Sequence, residues 1–143
     1  RFGKGLQLVN VLRDIPRDLS NGRCYLPAEE LGEVGLQPKD LLQADSWGKL
    51  EPLFSSWLTK ARAHLTAGWR YTNTIPFKQY RLRLACAWPI LIGLVTLEKM
   101  RNTNPLQGKM RVKASRSEVR SIIWRSTWRL PFRRTWGKLF TSI

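Results

Sequence analysis

The hydrophobic positions of this chain recur at helical spacing, and strand-like alternation is nearly absent. The longest periodic stretch predicts a helix that is capped by Ser46, ends near Asn73 and is broken at Pro76. Its apolar positions recur at i, i+3, i+4 and i+7, and they are Leu50, Leu53, Phe54, Trp57, Leu58, Ala61, Leu65 and Trp69. We therefore expect an all-α protein.

Two further helices are predicted on either side of this long one. The first runs from the start of the chain and ends near Asn21–Gly22, because glycine is a common helix stop. The most apolar helix begins at Phe77 or Lys78 and ends near Arg101, and Pro89 is expected to kink it. Short helical turns are expected after Pro27 and Pro38.

Polar residues near position 115 predict the start of another helix. Ser115 followed three residues later by Glu118 is typical of a capping box, in which each side chain bonds the other residue's backbone N–H. A helix is therefore predicted from this point to about Leu130. Pro131 should end that helix, and residues 132–143 are expected to form one more short helix.

The most apolar run indicates a core helix and no membrane span. It covers the 14 residues from Leu84 to Leu97 and is interrupted by Pro89 and Gly93. A membrane-spanning helix needs about 20 apolar residues. Because 43% of all residues are hydrophobic, the chain can build a packed core around such a helix.

The positive charge lies mainly at the C-terminal end. The net charge is +15, and residues 109–143 hold ten lysines and arginines against one acid, Glu118. The same segment carries aromatic residues at Trp124, Trp128, Phe132, Trp136 and Phe140. Three interpretations stay open for it, namely binding of nucleic acid, attraction to an anionic membrane surface, and a solvated basic helix.

The candidate chemistry lies in the first helix. Gln7, Asn10, Asp14 and Asp18 are spaced by 3, 4 and 4 residues, so they share one stripe of a helix. Two carboxylates one turn apart can face the same hard cation, and Mg²⁺ combines a few carboxylates with water and phosphate oxygens. With Arg13 and Arg17 beside them, the same residues could equally form a surface ion-pair ladder.

A longer motif resembles a known family. The segments Gln7–Asp14 and Gly22–Pro27, with Asp18 between them, look like the second aspartate-rich motif of the squalene/phytoene synthase family. The segment Arg81–Leu94 is similar to the late cavity-lining helix of bacterial members, and Arg111–Arg116 to the basic segment before the last helix. The resemblance covers residues 3–125 and only the C-terminal half of the family's domain.

The resemblance implies an all-α isoprenoid synthase helical bundle, of which this chain is a part. Residues 1–130 would be the C-terminal part of the domain and 131–143 a basic aromatic tail. Asp14 and Asp18 would be catalytic residues that bind Mg²⁺ with Asn10. Prenyl diphosphate would be bound by Gln7, Arg13, Arg17, Trp88 and by Arg111 or Lys113. Pro16, between the two aspartates, is expected to bend the last helical turn.

The activity implied is head-to-head condensation of two farnesyl diphosphates through presqualene diphosphate to squalene, with NADPH for the reduction. Phytoene-type condensation of geranylgeranyl diphosphate is the alternative.

We expect a fragment, because the family's first aspartate-rich motif is absent from this sequence. We also expect a cytoplasmic protein with peripheral attraction to anionic membranes and no nucleic-acid partner. The competing class is a non-catalytic basic helical protein that binds membranes or nucleic acid.

Overall fold

The computed structural model describes residues 1–107 and 112–143, and every regular element in these two ranges is a helix. The all-α prediction is confirmed. Short 3₁₀ turns lie at Pro38–Leu42, Ala44–Ser46 and Phe77–Gln79. The α-helices of the described ranges are α1 (Phe2–Ser20), α2 (Ala28–Glu33), α3 (Trp47–Thr74), α4 (Tyr80–Arg101), α5 (Arg116–Arg129) and α6 (Arg133–Gly137).

The core lies where α1, α3 and α4 pack against one another. The periodic residues predicted for the long helix supply much of it, since all of them except the half-buried Leu53 are buried in α3. The α1 helix lies close to α3 at Gly5. A Cβ atom at Gly5 would lie 3.0 Å from the His64 Cβ and 3.2 Å from the Leu65 backbone nitrogen. Glycine is therefore needed for this helix contact.

The most apolar helix, α4, is in the centre of the bundle. It contacts α1, α3 and α5, and its buried residues include Leu84, Ile90 and Leu94. The stretch Phe77–Arg101 is long and apolar enough to cross a membrane, but half of its most apolar window is buried inside the protein. Core helices of soluble proteins share this property, which agrees with the predicted core helix.

Most of the predicted helix ends agree with the structure, and α3 begins directly after Ser46 as predicted, but without the predicted side-chain cap. The helices α1 and α2 are followed by Gly22 and Gly35, which both have positive φ angles. Ser46 precedes α3 but its side chain makes no cap hydrogen bond. Its hydroxyl instead donates to the carbonyl oxygen of Asp40 at 2.7 Å, so it tethers the preceding 3₁₀ turn.

The capping box of α5 is confirmed. The Ser115 hydroxyl accepts from the Glu118 N–H at 3.2 Å, and the Glu118 carboxylate accepts from the Ser115 N–H at 2.6 Å. On the inner side of α5, the Trp88 indole N–H donates to the Ser126 hydroxyl at 2.9 Å. These contacts fix how α5 is rotated against α4.

The C-terminal segment packs into the same core as the rest of the chain. Its helix covers only Arg133–Gly137 and is followed by turns, so it is shorter than predicted. Trp136 and Phe140 both stack on Trp69 of α3, with ring centroids 5.5 and 5.7 Å apart. The basic aromatic segment is thus divided, because these two rings are buried while Trp124, Trp128 and Phe132 are exposed.

Candidate functional site

The predicted polar stripe lies on the side of α1 that faces away from the core. The buried residues of α1 are Gly5, Val9, Leu12 and Ile15. At 100° per residue, the stripe residues fall on the opposite side of the helix. Two of them, Gln7 and Asn10, are exposed, and the other two, Asp14 and Asp18, are partly buried.

Pro16 does not end α1. The helix continues through Pro16 to Ser20, so Asp18 keeps its helical register with Asp14. Proline removes one backbone hydrogen bond inside a helix, yet a neighbouring helix can compensate for that loss by packing. Here Pro16 lines a small cavity together with Leu12 and Phe54. The site therefore retains the spacing that the sequence predicts.

Arg13 and Asp14 form a two-pronged ion pair. The guanidinium Nε and Nη2 donate to the two carboxylate oxygens of Asp14, each at 3.0 Å. Both side chains are about four-fifths buried, with exposures of 21% and 19%. Such paired hydrogen bonds fix the plane of a carboxylate. Arg17, one turn later, is exposed on the last turn of the helix.

An open groove runs beside the stripe. It has a volume of about 340 Å³, and Gln7 forms part of its edge. Leu8 and Val11 of α1 line it together with Trp57 of α3. The basic residues Lys4 and Lys60 also line it. The groove is thus largely apolar, with cationic side chains at its margins.

Asp18 lies next to this groove. It lines a small hollow with Cys24 and Tyr25, and this hollow shares Val11, Tyr25 and Leu26 with the groove. The link after α1 therefore places an apolar wall beside the second carboxylate of the stripe. An elongated apolar ligand with an anionic end would find both kinds of surface here.

Glu30 joins α2 to α3 at the groove. Its carboxylate accepts from the Trp57 indole N–H at 2.7 Å and from the Lys60 ammonium at 3.2 Å. The Trp57 hydrogen bond and then that of Lys60 lower the pKa of Glu30. The carboxylate is therefore ionised at neutral pH and offsets part of the positive charge at this margin.

Sequence reasoning missed these groove residues. Lys4 was within reach, because it precedes Gln7 by three residues on the same helix. Trp57, Lys60 and Glu30 were not, because their meeting depends on how α2 and α3 pack. Their helical spacing alone indicated a core stripe for Trp57 and nothing for the two charged residues.

The later predicted residues lie away from α1 or outside the described ranges. Trp88 points toward α5, where its N–H bonds Ser126, so its contact is one of helix packing. Lys113 is exposed, and its carbonyl oxygen accepts from the Lys99 ammonium at 3.4 Å. Arg111 lies outside the described residues. The structure therefore brings together the α1 residues but does not join Trp88 or Lys113 to them.

The donor atoms of the stripe fit a hard cation. Asp14, Asp18 and Asn10 offer carboxylate and amide oxygens, which Mg²⁺ prefers. In the described part of the chain, no group of three carboxylate, histidine or cysteine side chains could hold a metal by itself. A cation at this stripe would need further ligands from water or from a phosphate-bearing ligand.

Comparison with known proteins identifies the family. The sequence model of the squalene/phytoene synthase family matches residues 1–118. The chain therefore belongs to the squalene/phytoene synthase family. Members of this family are prenyltransferases. No solved structure matches the chain.

Several relatives support this assignment. The chain is 40% identical over 77 residues to a presqualene diphosphate synthase of Rhodopseudomonas palustris. The matched stretch covers 52% of this chain and 27% of that protein. The chain is 40% identical over 66 residues to a presqualene diphosphate synthase of Zymomonas mobilis, covering 46% and 22%. It is 31% identical over 93 residues to phytoene synthase 2 of Zea mays, covering 65% and 21%. The chain thus spans no more than 27% of these relatives' lengths.

Proposed function

We propose that this chain forms one wall of a prenyltransferase that condenses two prenyl diphosphates head to head. The observation that carries the proposal is the alignment of Gln7, Asn10, Asp14 and Asp18 along one side of α1, beside an apolar groove. Family enzymes use prenyl diphosphates, which combine an anionic head with a long apolar chain. The stripe matches the head and the groove matches the chain.

Asp14, Asp18 and Asn10 are the residues that would hold Mg²⁺. When bound, the metal neutralises the leaving diphosphate and so lowers the barrier to cleavage of the carbon–oxygen bond. Arg13 keeps the Asp14 carboxylate in one orientation through its two hydrogen bonds. Arg17 is exposed beside the stripe, where a guanidinium can contact a phosphate.

Farnesyl diphosphate is the proposed substrate, with presqualene diphosphate as the intermediate and squalene as the product. Support comes from two presqualene diphosphate synthases that are 40% identical, against 31% for the phytoene synthase of maize. Reduction to squalene would consume NADPH. A phytoene synthase-type condensation of geranylgeranyl diphosphate is the second candidate, because that relative matches a longer stretch of the chain.

The proposed location is the cytoplasm, with peripheral contact to anionic membrane surfaces. The excess of positive charge in residues 109–143 supports such contact, as do the exposed rings of the same segment. A membrane surface is also where an enzyme can release a hydrocarbon product. We propose no nucleic-acid partner for this chain.

The test is titration calorimetry, which measures the Mg²⁺-dependent binding of farnesyl diphosphate to the 143-residue chain. Asp14→Asn and Asp18→Asn should each weaken binding in Mg²⁺ by about 10–100-fold or more, because replacing a residue that only supports a metal ligand already costs that much. Asp45→Asn is the matched control, because Asp45 is an exposed aspartate of a 3₁₀ turn and is not part of the stripe. Equal binding by all three variants would refute the proposed site.

Release of diphosphate from farnesyl diphosphate is measured in parallel. Release that disappears in Asp14→Asn would show that this wall suffices or that a second copy of the chain supplies the other. Binding without release would locate the missing chemistry in the upstream aspartate motif. In that case a longer chain that carries this motif should release diphosphate, and its failure to do so would refute the enzyme proposal.

A further inference from the structure

The outer face of α5 carries an exposed aromatic and cationic surface that the aspartate chemistry does not use. Arg116, Arg120, Trp124 and Trp128 recur at four-residue intervals, so they lie on one side of the helix. The buried residues of α5 are Ile122 and Ser126, which fall on the opposite side. This surface therefore points away from α4, and we call it the α5 outer face.

The aromatic residues of the α5 outer face are far more exposed than is usual for such large side chains. Trp124 is 67% exposed and Trp128 is 65% exposed, and Phe132 just beyond the helix is 61% exposed. The two tryptophan rings meet edge to face, with centroids 6.0 Å apart. Adjacent exposed aromatic rings in one patch are typical of a surface that contacts a membrane, another protein or a ligand.

The rotation of α5 that exposes these rings is fixed from inside. The Trp88–Ser126 hydrogen bond holds the middle of the helix against α4, and the Lys99–Glu118 ion pair of 2.6 Å holds its first turn. The helix therefore cannot turn its tryptophans inward without breaking both contacts. Exposure of Trp124 and Trp128 is a property of the packed fold.

The charge of the same face is uncompensated. Glu118 is the single acid in residues 112–143, and it pairs with Lys99 on the inner side. In the described part of the chain no ion pair joins Arg116 or Arg120 to an acid. A partner that carries both negative charge and apolar material would complement this face.

We propose that the α5 outer face docks on an anionic lipid surface, with Trp124, Trp128 and Phe132 inserted at the interface and Arg116 and Arg120 at the lipid phosphates. Tryptophan favours the membrane interface because its ring is apolar and its N–H is polar. Arginine near an anionic leaflet adds electrostatic attraction. The family match ends at residue 118, so most of this face lies beyond it.

Docking through the α5 outer face rests on the membrane contact proposed above but does not depend on the aspartate chemistry. Of the five aromatic residues that the sequence offers in residues 109–143, Trp136 and Phe140 are not available for this contact, because they are buried against Trp69. Membrane docking should therefore depend on α5 and the residue that follows Pro131, but not on the last eight residues.

The test is sedimentation of the 143-residue chain with phosphatidylcholine vesicles that contain or lack phosphatidylglycerol. The chain should bind the anionic vesicles and dissociate as salt is raised, because salt screens the arginines. Trp124→Ala with Trp128→Ala should weaken partitioning at least tenfold, as expected for lost apolar burial. Arg120→Gln should weaken it roughly fivefold.

The matched control is Tyr71→Ala, which removes an aromatic ring that is 61% exposed on α3. It should partition like the unchanged chain, and circular dichroism should show the same helix content for all variants. Asp14→Asn should also bind vesicles normally, which separates this inference from the proposed catalysis.

Three outcomes would overturn the inference. Anionic vesicles that bind the double tryptophan variant as well as the unchanged chain would leave the membrane contact in place but remove the α5 outer face from it. No vesicle binding by the unchanged chain would reject both. Binding to a DNA duplex through Arg120 and Trp124, with no vesicle binding, would assign the face to nucleic acid.

Discussion

Trp136 and Asn73, 63 residues apart, are joined by a hydrogen bond of 2.8 Å from the indole N–H to the Asn73 side-chain oxygen. The same oxygen accepts from the Arg83 guanidinium at 2.9 Å. That guanidinium is buried and also lies 4.9 Å from the Trp136 ring centroid. One asparagine at the end of α3 thus ties the C-terminal segment to the start of α4.

Replacement of Asn73 by alanine should destabilise the chain by about 1–3 kcal/mol, because two buried donors lose their acceptor. The free energy of unfolding in urea measures this loss. Asn102→Ala is the matched control, since Asn102 is exposed after α4, and it should change stability by less than about 0.5 kcal/mol. Similar losses in both variants would contradict the role assigned to Asn73.

Two glycines in α1 should respond oppositely to the same substitution. Gly5→Ala should cost about 1–3 kcal/mol, because its Cβ would press on α3 at 3.0 Å from the His64 Cβ. Gly3→Ala should stabilise by roughly 0.5–1 kcal/mol, since nothing lies within 4 Å and alanine is the better helix former. Thermal unfolding of both variants checks this, and a stabilising Gly5→Ala would contradict the close contact of α1 with α3.

Arg13 should matter more than Arg17 for ligand binding. Arg13→Gln removes both hydrogen bonds to Asp14, so it should weaken Mg²⁺-dependent binding of farnesyl diphosphate by about 10–100-fold. Arg17→Gln changes an exposed side chain and should have a smaller effect. Calorimetric titration of both variants in the presence and absence of Mg²⁺ distinguishes them. An equal loss would mean that the Arg13–Asp14 pair does not position the carboxylate.

The helices could be predicted from sequence because the periodic apolar residues and the polar caps are local signals. Capping at Ser115 and helix ends near Gly22 follow from a few neighbouring residues, and the structure confirms them. The side chain of Ser46 could not be predicted from its neighbours, because its hydroxyl donates to a carbonyl oxygen six residues earlier and does not accept from a helix N–H. This hydrogen bond depends on how the two 3₁₀ turns before α3 pack against each other.

The candidate site was predictable to the same extent. The stripe of Asp14 and Asp18 lies within one helix, so spacing alone places it. The groove beside it needs α2 and α3, and the Glu30–Trp57 contact that closes it joins residues 27 positions apart. The division of the aromatic segment into exposed Trp128 and buried Trp136 is likewise set by tertiary packing.

Acid should weaken the attachment of α5. Hydrogen bonding to Lys99 and then to Ser115 lowers the pKa of Glu118 to about 2. Because the folded pKa is below that of the unfolded chain, the stabilisation is complete above about pH 4.5 and is lost as the pH falls toward 2.

The Glu118→Gln variant should show this loss at neutral pH. Its cost should be about 1 kcal/mol or less, because the Lys99–Glu118 pair is partly exposed, with side-chain exposures of 38% and 36%. Unfolding of the unchanged chain and of this variant from pH 6 to pH 2.5 should converge in acid. A difference that persists unchanged at low pH would contradict the assignment.

Substitutions at Trp88 and Ser126 distinguish a structural role of Trp88 from a role in substrate binding. Its N–H bonds the Ser126 hydroxyl at 2.9 Å, so Trp88→Phe should cost about 1–3 kcal/mol by leaving a buried hydroxyl with one partner fewer. Since the ring lies toward α5, Mg²⁺-dependent binding of farnesyl diphosphate should be unchanged in the folded variant. Ser126→Ala removes the same hydrogen bond without touching the ring and should destabilise to a similar degree. If Trp88→Phe lost ligand binding while Ser126→Ala did not, the aromatic ring itself would act on the substrate, as the family resemblance predicts.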